Sequence, residues 1–170
     1  MSYENILYEK FGYEIKLLEK KDGIDIFRLL SPVKLDRKDR IPEMHSHDRK
    51  ILKDEIVFAL EDYNYNSVGL YRNGELIGIS FSNMIDDEDQ PWLGYFYIQK
   101  EHRKGKGSVV LLNYIINHLY KEYTIQIGAT DMKLYGKVIR YVPILEYYIF
   151  KKGVAERLSR ICDSGSEVAA

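Results

Sequence analysis

The spacing of apolar positions divides the chain into short elements of both kinds. Residues 13–18 alternate and predict a first strand. Asp22 stands where a helix cap belongs, ahead of a short helix to Leu30. Ser31-Pro32 ends that helix, because the residue before proline is pushed out of the helical region. Residues 34–47 are charged and show no period. In 48–61, Leu52, Ile56, Ala59 and Leu60 recur at helical spacing. Residues 67–72, Asn73-Gly74 and 75–83 read as a hairpin. Asn-Gly accepts the positive φ angles of a type I′ turn, and Val68/Leu70 and Ile77/Ile79/Phe81 alternate as strands do. Residues 86–90 predict a second polar turn, and 92–98 a third strand rich in aromatics.

Residues 108–120 carry the clearest helical stripe: Leu111, Leu112, Ile115, Ile116 and Leu119. A short strand is expected at 124–128, a helix at 131–141 stopped before Pro143, and strands at 145–150 and 156–161. The predicted order is strand, two helices, a three-strand meander, helix, strand, helix, two strands. A sheet with helices on both faces buries these stripes. No repeat or Pro/Gly/Ser-rich linker divides the chain, so 1–162 reads as one domain. The small, polar residues 163–170 read as a tail.

The 170-residue length is that of one domain, and 45% hydrophobic with 30% charged residues is a globular composition. Fifteen tyrosines supply apolar plates with polar tips, suited to half-buried sheet faces and pockets. A net charge of −1 offers no support for nucleic-acid binding, which draws on phosphate neutralisation. A single cysteine, Cys162, excludes an intramolecular disulfide and a multi-cysteine metal cluster. The first residues lack the apolar core of a secretory signal, and no apolar run is long enough to span a bilayer. A cytoplasmic protein without membrane partners is the expectation.

Candidate chemistry concentrates between Tyr97 and Leu112. A strand ends near Ile98, a basic glycine-containing turn follows, and a strongly apolar helix starts near Ser108. The first turn of a helix leaves backbone N–H groups without internal partners, and the helix dipole adds positive character there. Gly105 and Gly107 permit close backbone approach, while Arg103, Lys104 and Lys106 add cations. Together they make a seat for a diphosphate. The same residues also suit a solvated basic turn that only starts a helix. The glycine spacing fits neither a dinucleotide fingerprint nor a Walker A loop.

Strand, turn and helix resemble motif A of the GNAT superfamily of N-acetyltransferases, Q/R-x-x-G-x-G/A. Aligned on the helical stripe, Arg103 takes the Q/R place and Ser108 the final G/A place, with Lys106 replacing the first motif glycine. Shifting the register back by one sets Gly105 and Gly107 on both glycines and His102 in the Q/R place. The element order from Tyr13 to Phe150 also matches that superfamily.

The resemblance implies an α/β (α+β) fold: a mixed, mostly antiparallel sheet of six to seven strands, helices on both faces, and a cleft between strands 4 and 5. It implies acetyl-CoA as acyl donor, with Tyr97, Ile98, Arg103, Lys104, Gly105, Lys106, Gly107 and Ser108 lining its site. Direct attack by a neutral amine acceptor is the implied reaction. Leu134-Tyr135-Gly136-Lys137-Val138 resembles the family's L-Y-x-K-x-G-F segment, with Ile139 and Arg140 where Gly-Phe stands. That resemblance makes Tyr135 the expected general acid, with Tyr141 and Tyr148 as rivals.

Other features are less specific. The strand 92–98 holds no Asp or Glu to act as a base. Asp86–Asp89 reads as a solvated hairpin tip that would also attract a cationic acceptor. His45 and His47 lack a third ligand nearby, and zinc sites need three or four. Exposed aromatics would serve a homodimer seam or a pocket wall. Three readings follow: an acetyl-CoA-dependent N-acetyltransferase acting on a primary amine, a binding module that keeps the cradle without turnover, and a tRNA-directed acetyltransferase, which the near-neutral charge disfavours.

Overall fold

Strand β1 (Ile6–Tyr8) precedes β2 (Tyr13–Leu17), and helices α1 (Gly23–Leu30) and α2 (Arg49–Glu61) follow. Strands β3 (Tyr65–Arg72), β4 (Glu75–Ile85) and β5 (Gln90–Ile98) form the meander. Helix α3 (Gly107–Tyr114), β6 (Gln126–Ile127), β7 (Ile139–Val142), β8 (Tyr147–Phe150) and α4 (Val154–Ser166) complete the order. The structure, a computed structural model, describes residues 6–8, 11–30, 49–61, 65–85, 90–103, 106–127, 139–142 and 147–166.

The strands form one sheet in the order β1-β2-β3-β4-β5-β6-β8-β7, antiparallel except for the β5–β6 pair. This is the expected mixed sheet, with eight strands: Ile6–Tyr8, alongside Tyr13–Ile15, and Ile139–Val142 join it, and 156–161 does not. The β3–β4 turn behaves as its sequence requires: Asn73 has φ 53° and Gly74 φ 78°, and Arg72 pairs with Glu75 across it.

Two apolar clusters lie on opposite faces of the sheet. One gathers Val68, Leu70, Leu93, Phe96 and Ile98 with the inner stripes of α3 and α4. The other gathers Ile79, Phe81 and Tyr97 with Ile26 and Leu30 of α1 and Ile56 and Ala59 of α2. Ile77 does not share the face of Ile79 and Phe81. Leu70 pairs with Gly78 but Tyr71 with Leu76, so Ile77 is an extra residue in β4. That bulge turns Ile77 to the α3 side and breaks the simple alternation.

Several expectations are corrected. The helix expected over 108–120 is α-helical only to Tyr114; Ile115–Leu119 form a π turn, closed by the Tyr120 N–H donating to the Ile115 carbonyl at 3.0 Å. Asn117 Nδ2 donates to the Ala155 carbonyl at 2.9 Å, tying this turn to α4. Asp22 does not cap α1 from outside. It closes a 3-10 turn, its carboxylate accepting from the Glu19 N–H at 2.7 Å.

Residues 139–141 were expected to end a helix but belong to β7. Its Ile-Arg-Tyr-Val composition suits a strand, and it pairs with β8 from Ile139↔Phe150 to Val142↔Tyr147. The strand expected at 156–161 is the interior of α4. Val154, Leu158 and Cys162 are buried four residues apart, while Glu156, Arg157 and Arg160 face solvent. Gly153, at φ 87°, turns the chain into this helix, which runs on to Ser166, beyond the Asp163 start of the expected tail. Residues 34–47 and 131–138 lie outside the described residues. Among those described, no helix is long and apolar enough to cross a membrane.

Candidate functional site

The site is built around β5. Against β4 it is paired from Gly78↔Ile98 to Ile85↔Gln90. Among the described residues it pairs with β6 at Trp92↔Gln126 and Leu93↔Ile127, in parallel. These are the fourth and fifth strands of the implied fold, and the chain directly after Ile127, where a cleft between them is expected, lies outside the described residues.

Gly94 follows directly on the last described pair with β6. Phe81 pairs with Tyr95 and Ser82 with Leu93, so Gly94 is an extra residue in β5. A bulge leaves such a residue outside the ladder and bends its strand. The register also sets Leu93, Ile127, Tyr148 and Tyr141 in one row across four strands. The two rival tyrosines therefore lie on the row of the last described β5–β6 pair. Tyr135 lies outside the described residues, as do Lys104, Gly105, His45, His47 and Asp86–Asp89.

At the other end of β5, the predicted turn forms a single 3-10 turn, Lys100–His102, before α3. Tyr97 is buried on the α1–α2 side and Ile98 on the α3 side. Arg103 folds back on both. Its Nε donates to the Ile98 carbonyl at 2.7 Å, and its guanidinium stands 5.2 Å from the centre of the Tyr97 ring. The bond claims the Ile98 carbonyl and fixes the turn to the strand.

Lys106, exposed, is the N-cap of α3, and its side chain makes no capping hydrogen bond. The first bond of the helix runs from the Val110 N–H to the Lys106 carbonyl at 2.9 Å. The amides of Gly107, Ser108 and Val109 belong to the first turn, which makes no internal bonds of its own. Gly107 is tightly packed here. A Cβ would come within 3.3 Å of Leu70 Cδ2 and 3.4 Å of the His102 carbonyl oxygen. Ser108 is only half-buried. The tight glycine position therefore falls at Gly107, as in the register that sets His102 in the Q/R place.

Several tyrosines are accounted for by packing. The Tyr120 hydroxyl lies 2.6 Å from Ser82 Oγ and accepts from Asn66 Nδ2 at 3.0 Å. Tyr13 accepts from Arg72 at 3.3 Å. Burial pushes the Tyr8 and Tyr71 phenols up to about 12, making both poorer acids than a free phenol. Cys162 is buried on the inner face of α4.

Sequence reasoning missed the Gly94 bulge. A lone glycine inside the aromatic strand Trp92-Leu-Gly-Tyr-Phe was the available signal, since strand glycines often mark bulges.

This fold recurs in solved structures. An acetyltransferase of the GNAT family from Staphylococcus aureus superposes with a TM-score of 0.60 at 12% identity, covering 82% of this chain and 98% of its own. One from Streptococcus pneumoniae gives 0.58 at 16%, covering 82% and 98%. The PaiA N-acetyltransferase of Thermoplasma acidophilum, solved in complex with coenzyme A, gives 0.57 at 16%, covering 81% and 96%. This chain has the GNAT fold. No family model matches its sequence, and no curated protein does.

Proposed function

We propose that this GNAT-fold chain is an N-acetyltransferase that moves an acetyl group from acetyl-CoA to a primary amine. One observation carries the reading: β5 pairs with β6 in parallel at Trp92 and Leu93, and α3 opens beyond the same strand from Lys106, whose side chain makes no capping bond. The residues fit the donor. First-turn amides and the positive helix end suit a diphosphate, with Gly107 and Ser108 holding it and Lys104, Gly105 and Lys106 as further candidates. The β6-facing side of β5 suits the amides of a pantetheine arm, as a strand edge suits a peptide. The coenzyme A complex of the Thermoplasma relative supports the same choice of ligand.

The chain's own groups supply the rest. The N–H of the bulge lies outside the ladder, where it suits donation to a carbonyl oxygen that gains charge as the amine attacks. An alkylamine must first lose a proton, which costs about 4–5 kcal/mol at neutral pH. β5 carries no carboxylate, so this proton leaves through water or a group on another element. The departing thiolate takes a proton from Tyr135. Phenol to thiolate is uphill by about 2 kcal/mol, within reach if transfer accompanies bond breaking.

The missing strand carboxylate also favours a second reading, a module that binds acyl-CoA without turnover. Thermal shift with acetyl-CoA, coenzyme A and an unrelated nucleotide comes first. Selective stabilisation by the two coenzyme A species is expected, and a flat response to all three removes both readings. Release of free thiol across an amine panel then separates enzyme from module. Tyr135→Phe should keep coenzyme A binding and lose turnover; undiminished turnover removes Tyr135 as the acid.

A further inference from the structure

The outer surface of α1 and α2 is more apolar than a solvated face needs to be. Among the described residues four large hydrophobic side chains stand exposed, and three of them lie here: Ile24 (66%), Phe58 (56%) and Val57 (48%). Between the helices runs a groove of about 460 Å³, lined by Phe27, Ile56, Val57 and Leu60, with Lys20 and Lys53 among its walls. The polar groups beside it are held in place. Lys53 Nζ stands 5.2 Å from the centre of the Phe27 ring, and Lys20 bonds Glu61 at 3.0 Å.

The charge pattern names the occupant. Along α2, Lys53, Val57 and Glu61 recur every four residues on one stripe, so the stripe reads cation, apolar, anion. A uniformly acidic or basic partner would match one end and clash with the other. An antiparallel copy of the same helix matches both. With a two-fold axis at Val57, Lys53 of each copy faces Glu61 of the other, taking the place of the exposed Lys20 that pairs with it within one chain, and the flanking apolar groups of α1 are covered together. This is the self-complementarity of an isologous interface.

We propose that the α1–α2 face is a homodimer interface, two copies packing α2 antiparallel about Val57 with reciprocal Lys53–Glu61 pairs. The proposal stands independently of acyl transfer. It is tested by sedimentation equilibrium on the full chain at micromolar concentration. A dimer is expected, and Val57→Arg, a change at a solvent-facing position, should be monomeric. Lys53→Glu sets like charges together at both ends and should weaken the dimer at least about tenfold. Adding Glu61→Lys to it should restore association. Were Val57→Arg to aggregate, the charge swap decides alone. A monomeric wild type, or a dimer indifferent to these changes, overturns the interface. Failure of the double swap to recover what the single swap loses overturns the antiparallel pairing.

Discussion

Against β4, strand β5 is paired along its length, from Gly78↔Ile98 to Ile85↔Gln90; against β6 the pairs among the described residues are Trp92↔Gln126 and Leu93↔Ile127. The closed seam is backed on both faces. Val68, Phe96 and Ile98 lie under α3, and Ile79, Phe81 and Tyr97 under α1 and α2. On the proposed function the β6 side is an open seam that receives the extended ligand, while the β4 side holds the fold.

Breaking the closed seam should be the most damaging change to stability. Phe81 is fully buried, and Phe81→Ala should cost about 3–5 kcal/mol in denaturant unfolding. Coenzyme A affinity of the remaining folded protein should be unchanged. Gly107→Val tests the other end of the comparison. The added side chain meets Leu70 and the His102 carbonyl, so roughly 1–3 kcal/mol of stability is lost. Coenzyme A affinity should also fall by about tenfold or more in calorimetric titration, because displaced amides no longer converge on one anion.

Arg103→Met removes the bond to the Ile98 carbonyl and the stacking on Tyr97. It should cost about 1 kcal/mol in stability. Weaker coenzyme A binding should accompany that loss, short of the effect at Gly107. The smallest effect belongs to Ser80, in the middle of the closed seam. Its hydroxyl is buried with no hydrogen-bond partner, so Ser80→Ala should leave stability unchanged or raise it by up to about 1 kcal/mol. A loss of several kcal/mol there would mean that the hydroxyl has a partner in solution.

Local rules made part of this molecule legible. Asn73-Gly74 specified its own turn, and the stripe from Leu111 to Ile116 specified the helix that covers the sheet. The basic turn after Ile98 marked the place of the candidate site for the same reason, since strand, glycine and helix start are consecutive. Features set by tertiary pairing were not legible. Whether Ile77 and Gly94 are extra residues depends on register with the neighbouring strand, which alternation alone cannot give. The segment at 156–161 misled because its apolar residues fit a short strand; the wider spacing of Val154, Leu158 and Cys162 shows the helix. Ile6–Tyr8 is too short to carry a period and is held as a strand by its pairing with β2.

Amide hydrogen exchange with and without coenzyme A tests the open seam most directly. Added protection is predicted at residues 94–98 and 107–109, with little change along β3 and on the outer face of α2. Saturating coenzyme A that leaves these amides as exposed as before, or that protects another part of the sheet instead, would contradict the assignment of the ligand to this seam.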